Sequence, residues 1–320
     1  MTMPFVSVVV PAYNAAATIG QCIESLISQT YPKEKLEILI IDNNSSDETA
    51  DIIRSYPVTY LSESNQSRSA ARNKGIRHAR GDIIAFTDSD CAAQHDWLEK
   101  GVQPFEDEWI GGVGGPILAY NPSTWIERAQ DILRIFNQEE TISPERVEAG
   151  TAVIATPNAL YRKDALLAAG LFDERLKGAE DYDLSYKIQR ITDYSFAYQP
   201  DAITYHRHAQ TFEKVVTQYF RYGYAYMECE EQKECLVKLD ESIRAHGLAR
   251  VVYWKILQYR IPANLKRCVS YGLKYLFSLR QDTKQYLELS FLDCVQQAAF
   301  LAGEMQSYMV NRVRLRENKN

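Results

Sequence analysis

The chain has 320 residues, 36 of them Lys or Arg and 42 Asp or Glu, for a formal net charge of −6. A hydrophobic share of 46% is enough to bury a core and excludes wholesale disorder. The acidic balance argues against a dedicated nucleic-acid binder, and no apolar run approaches the ~18–20 residues that span a bilayer.

In chain order, the stretch up to Asn14 has no basic leader, and its apolar run Phe5–Val10, ended by Pro11, reads as a first strand rather than a signal peptide. Ile19, Cys22, Ile23, Leu26 and Ile27 follow at helical spacing. Leu36–Ile41 is a nearly continuous aliphatic run, as in a strand buried on both faces of a parallel sheet. In the loop after it, Ser46 or Asp47 is suited to cap a helix over Glu48–Arg54. Val58–Leu61 reads as a third strand, Ser69–Ala79 as a helix and Gly81–Phe86 as a fourth strand. Strands alternating with helices predict βαβ units and an open, mostly parallel α/β sheet. Further on, GGVGG at 111–115 suggests close backbone approach. Ala149–Ala155 and Phe196–Tyr205 read as strands, and Glu180–Ile191 as a helix. From about residue 211 strand signals fade and helices are predicted, broken at Pro262. The length suits about two domains, placed at 1–210 and 211–320. Six cysteines (Cys22, Cys91, Cys229, Cys235, Cys268 and Cys294) show no C-x-x-C pair, so they read as reduced thiols of a cytoplasmic protein.

Ligands of open α/β sheets lie beyond the carboxyl ends of the strands. That places Pro11–Asn14, Asp42–Ser46 and Asp88–Asp90 together as candidates for one site. Asp88-Ser89-Asp90 follows a strand, and residues two apart on extended backbone point the same way. Two hard oxygen ligands there suit Mg²⁺ or Mn²⁺ holding a diphosphate. For a D-x-D triplet alone, a polar turn closing the strand is the plainer reading.

The triplet has company. VSVVVPAYN (6–14), IIDNNSSDET (40–49), ARNKGIRHARGD (71–82), FTDSDC (86–91), NALYRKDALLAAGLFDE (158–174), GAEDYDLSYKIQR (178–190) and TYHRHAQT (204–211) occur in this order. Over about the first 220 residues the chain resembles the family 2 glycosyltransferases. The resemblance implies a GT-A nucleotide-diphospho-sugar transferase fold, a mixed sheet flanked by helices, followed here by a mostly helical C-terminal region. It implies an inverting, metal-dependent enzyme moving a sugar from a nucleoside-diphosphate sugar, with UDP as the leading nucleotide, to a hydroxyl of a glycan or lipid-linked acceptor. Polysaccharide, glycolipid or cell-envelope glycan synthesis is the expected setting.

The resemblance also implies roles. Pro11, Tyr13, Asn14 and Asp42 receive the base and ribose, and Arg72 lies near the nucleotide and its phosphates, as suits a guanidinium. Asp88 helps hold the nucleotide. Asp90 ligates Mn²⁺ or Mg²⁺ together with His206, for which His208 is a competing candidate. Asp181 is the general base for the acceptor hydroxyl, a role that contributes ~10²–10⁴-fold. Its neighbours Glu180 and Asp183 favour a raised pKa and the helix N-terminus a lowered one, and both directions stay open. Ser67 stands where many relatives carry Gly. The alternative is a catalytically silent nucleotide-sugar-binding scaffold of the same fold, against which the presence of Asp90, Glu180 and Asp181 counts.

Two features of the C-terminal part stand apart. Gln218–Tyr222 resembles the Q-x-x-R-W motif of processive synthases with Tyr in place of Trp, and reads equally well as part of an amphipathic helix. The segment 248–281 carries seven basic residues and no acid, interleaved with Tyr and Trp. It suits either peripheral contact with an anionic inner membrane face or packing on other protein surface.

Overall fold

The computed structural model describes residues 3–134, 136–226, 291–293, 295–304 and 306. Its strands are β1 (Val6–Ala12), β2 (Leu36–Asp42), β3 (Thr59–Ser62), β4 (Ile83–Phe86), β5 (Cys91–Ala93), β6 (Ile110–Gly114), β7 (Ile117–Ala119), β8 (Ala159–Arg162), β9 (Ser195–Tyr198) and β10 (Thr204–His206). Seven of them form one sheet in the order β3-β2-β1-β4-β8-β6-β9, and β5-β10-β7 form a second, small sheet. β3, β2, β1 and β4 run parallel, as the strand–helix alternation predicts. β8 is antiparallel to both its neighbours, β4 and β6, and so makes the sheet mixed.

The aliphatic strands bury both faces because successive side chains alternate sides. Val6, Val8, Val10, Ile40 and Ala85 enter one core, while Val9, Leu39, Ile41, Ile84 and Phe86 enter the other. On the first face lies helix Ile19–Ile27, whose Ile19, Cys22, Ile23 and Leu26 are buried. On the second, the rings of Tyr161 and Phe172 meet Phe86 edge-on at 6.2 and 5.5 Å, an arrangement worth ~0.5–1.5 kcal/mol beyond its buried area.

Several elements differ from the sequence reading. β1 does not stop at Pro11 but runs on to Ala12. Its pairing with β4 ends at Val9, so at Pro11 the strand is paired only with β2, and the missing N–H breaks no ladder on the β4 side. Ala149–Ala155 is not a strand. Ala152 and Ile154 are buried there, but their backbone N–H groups donate to Gln189 Oε1 and Ser185 Oγ, and that of Ala155 donates to Gln138 Oε1. Side chains have replaced a neighbouring strand. Phe196–Tyr205 divides into β9 and β10, which belong to different sheets. At Gly115, just past β6, an added Cβ would lie 2.1 Å from the Ala202 carbonyl, so the close approach expected of the glycine run occurs.

The described residues fall into two compact units, Met1–Asn121 with Arg134–Arg207, and Pro122–Leu133 with the described residues from His208 onward. In the second unit, Ile126 and Ala129 of helix Trp125–Ile132 share a core with Val215 and Leu292. Helix Phe212–Tyr226 carries Gln218, whose amide donates to the Tyr222 hydroxyl one turn on. At Gly223 an added Cβ would meet the Phe300 carbonyl, so the two backbones approach closely. Among the described residues no helix is long and apolar enough to cross a membrane. The basic segment 248–281 lies outside the described residues.

Candidate active site

β1 and β2 end side by side, with Ala12 opposite Asp42, which brings the loops after them together. Asn14 has a left-handed φ of +47°, which Asn tolerates better than most residues. Its N–H donates to Ser45 Oγ at 3.0 Å, and its Oδ1 accepts from the Ser46 N–H at 2.9 Å. Asp42 is buried, with Oδ1 accepting from the Ser45 N–H at 3.1 Å and Oδ2 from the Tyr60 hydroxyl at 3.1 Å. Asp47 receives the N–H groups of Ala16 and Thr49. It thereby satisfies the start of helix Thr49–Arg54 although Glu48 holds the cap position. Pro11 is buried at the strand end, while Tyr13 is 52% exposed on the open side of this loop.

Asp88 and Asp90 do not sit on extended backbone. Asp88 opens and Asp90 lies within a turn between β4 and β5, closed by the Cys91 N–H donating to the Asp88 carbonyl at 3.0 Å. The two carboxylates make different contacts but lie close enough to act on each other. Asp88 reaches Arg72, with Nη2 donating to Oδ1 at 2.8 Å. Asp90 turns toward β10, placing Oδ2 3.6 Å from His206 Nε2. Register explains this second pairing, because antiparallel β5 and β10 set His206 directly opposite Cys91. Asp90, Cys91 and His206 gather their ligand atoms within 4.8 Å of one another. His206 is held edge-on against Phe136, ring centres 5.1 Å apart.

This donor set fits a divalent cation. Partial desolvation and the nearby Asp88 push the Asp90 carboxyl upward despite His206, and the repulsion between the two acids is what a cation would relieve. The Asp90 side chain is 44% exposed, which leaves room for further ligands. A carboxylate with an imidazole suits Mn²⁺ well. Cys91 is a member of the cluster that motif reading overlooks. Burial, then Asp90 and Asp88, push its thiol well above the usual range.

Arg72 is 1% exposed. Nη1 donates to Glu180 Oε1 at 2.7 Å while Nη2 holds Asp88, and the guanidinium lies 5.6 Å from the Phe172 ring centre. Burial works against the Asp88 charge, but Arg72, with Arg68 and His206, outweighs it and holds the carboxyl below the ordinary range. Glu180 and Asp181 open helix Glu180–Ile191, which begins after Ala179 at a φ of +55°. A left-handed non-glycine residue stores ~1–3 kcal/mol of strain, a feature found at functional turns. Asp181 accepts its neighbour's N–H, from Tyr182, at 3.0 Å. Burial first, and Glu180 second, push its carboxyl up to about 7 against the pull of Arg72. Asp183 is bound instead by Lys187 at 2.6 Å. Ser67, where glycine was the resemblance's expectation, caps helix Arg68–His78 by accepting the Ala70 N–H.

Known proteins resemble this chain in both sequence and fold. The model of glycosyl transferase family 2 matches residues 7–168. Glycosyltransferase AglE of Haloferax volcanii is 35% identical over 232 residues, covering 69% of this chain and 73% of AglE. Probable glycosyltransferase YdaM of Bacillus subtilis is 27% identical over 230 residues, covering 66% of this chain and 52% of YdaM. Among solved structures, mannosyltransferase PcManGT from Pyrobaculum calidifontis, in complex with GDP-Man and Mn²⁺, matches with a TM-score of 0.62 at 19% identity, over 96% of this chain and 87% of that one. S. aureus TarS 1-349, in complex with UDP, matches with a TM-score of 0.50 at 17% identity, over 96% and 91%. At those identities the two structures speak to the fold, which is the mixed GT-A sheet. The extent of the family match and the likeness to AglE over most of both chains place this protein in glycosyl transferase family 2.

Proposed function

We propose that this protein is a metal-dependent, inverting glycosyltransferase that moves a sugar from a nucleoside-diphosphate sugar to a hydroxyl of a glycan or lipid-linked acceptor. The observation that carries this reading is the pairing of an open carboxylate–imidazole site, Asp90 with His206, with a half-buried Asp181 pushed up to about 7. A hydroxyl is a poor nucleophile, and a positioned base with a pKa near the working pH suits removal of its proton.

In this reading Asp42, with Tyr13 and Asn14, receives the nucleoside, since a carboxylate accepts the imide N–H of uracil. Guanine also offers ring N–H donors, and the solved neighbours hold UDP in one case and GDP-Man in the other. Uridine is the leading nucleotide and guanosine its competitor. Asp90 and His206 would hold Mn²⁺ or Mg²⁺, which when bound neutralises charge developing on the leaving diphosphate. Asp181 takes the acceptor proton as the acceptor oxygen bonds to the anomeric carbon and the bond from that carbon to the diphosphate oxygen breaks. In-line displacement inverts the anomeric centre.

Incubating the purified protein with a panel of UDP- and GDP-sugars, with Mn²⁺ or with EDTA, and measuring nucleoside diphosphate release tests the reading. Release that depends on the ion supports it. Nucleotide-sugar binding without release across the panel would favour the silent scaffold instead.

A further inference from the structure

We infer that Arg72 is a positioning residue that clamps the metal-side loop to the acceptor-side helix, acting on the reaction through Asp88 and Glu180 rather than by touching the nucleotide. The inference rests on the proposed transferase reading and assigns a task within it.

Three observations carry it. First, the guanidinium is 1% exposed, so a ligand arriving from solvent has little access to it. Second, each terminal nitrogen is already committed, one to Asp88 at 2.8 Å and the other to Glu180 at 2.7 Å. Those partners lie 16 and 108 residues along the chain, one on the turn after β4 and the other opening helix Glu180–Ile191. Third, the residues they adjoin divide the chemistry. Asp88 is two positions before Asp90, and Glu180 is next to Asp181. A planar fork that donates in two directions is what joins two carboxylates at a fixed spacing. Its third nitrogen, Nε, is buried with no protein acceptor, so the fork is held by its two carboxylates and by Phe172 beneath it.

The spacing matters because reacting groups misplaced by about 1 Å can lose ~10²-fold in rate. Without the clamp the two acids would repel one another, and the base would no longer be held at a set distance from the leaving group. The clamp reads as a device for turnover, not for donor affinity.

Arg72→Lys and Glu180→Gln test it, with Mn²⁺-UDP and Mn²⁺-GDP as binding probes and the nucleotide sugar that the wild type cleaves as substrate. Lysine keeps the charge but cannot fork to two carboxylates. The glutamine variant leaves the Arg72–Asp88 pair intact, so it stays informative should the lysine variant fold poorly. The expected result is turnover at saturating donor reduced at least thirtyfold in both, with nucleotide affinity by calorimetry within about threefold of wild type. Combining the two changes should lower turnover little further than either alone. A tenfold or greater loss of Mn²⁺-nucleotide affinity in Arg72→Lys with turnover retained would make Arg72 a direct nucleotide ligand and overturn the clamp. Wild-type turnover in Glu180→Gln would overturn it as well. Failure of the transferase reading looks different, since the wild type itself would then not cleave.

Discussion

The loops after β1 and β2 and the turn after β4 lie at the same end of one sheet yet are held by different forces. In the first region Asn14, Ser45, Ser46, Asp47 and Thr49 tie backbone N–H groups to short polar side chains. In the second, a buried Arg72 and Glu180 draw the half-buried Asp88 and Asp181 into one crowded group of one cation and three acids. Satisfied neutral hydrogen bonds each contribute ~0.5–1.5 kcal/mol. Crowded charges give no such assurance, because burial penalises every ion. One region supplies a shaped receptacle, and the other holds chemical groups away from their ordinary ionisation.

Substitutions should therefore separate the two. The largest effect belongs to Asp181→Asn, whose amide cannot accept a proton. Turnover should fall at least ~100-fold, with Mn²⁺-dependent nucleotide binding kept, as checked by steady-state kinetics and calorimetry. The same change should stabilise the fold at pH 8. An acid raised to about 7 in the folded state is ionised at a penalty there. That penalty is absent below its unfolded pKa near 4 and complete above 7. Denaturant titrations should show the asparagine variant ahead by of order 1–3 kcal/mol at pH 8 and level with wild type at pH 4.

Next in size is the pH profile. Because the base works when deprotonated, turnover should fall about tenfold per pH unit below its pKa, which for Asp181 is about 7. A flat profile from pH 5 to 8 would remove Asp181 from that role. The smallest effect lies in the other region. Thr49 is fully buried, and its hydroxyl accepts the Ala15 N–H at 2.7 Å. Thr49→Val leaves that donor unpaired and should lower stability by ~1–3 kcal/mol. It should change turnover far less than Asp181→Asn does. A larger loss of turnover than of stability would blur the division between the regions.

Much of the first region is legible in the sequence. Continuous aliphatic strands bounded by turn residues announce the parallel half of the sheet, and its topology brings Asn14, Asp42 and the D-x-D loop to one end. The helix from Glu180 to Ile191 is equally plain. What local patterns miss arises from distant partners. Nothing near Arg72 in the chain announces its two carboxylate partners, which come from the turn after β4 and from the 180–191 helix. Cys91 joins Asp90 and His206 because β5 and β10 pair in one register, and nothing near it in the chain announces that. The irregular path of Ala149–Ala155 is likewise set by Gln138, Ser185 and Gln189, whose side chains offer hydrogen bonds that an alternating pattern assigns to a strand.

The central claim is that a carboxylate–imidazole pair, Asp90 after β4 and His206 of β10, makes donor binding depend on a divalent ion. Calorimetric titration of UDP and GDP into wild type and Asp90→Ala, each with Mn²⁺ and with EDTA, tests it most directly. One charged hard ligand is lost in the variant. The account predicts binding by the wild type that EDTA abolishes, and no Mn²⁺-dependent gain in Asp90→Ala. Equal Mn²⁺-dependent affinity in the two proteins would contradict it.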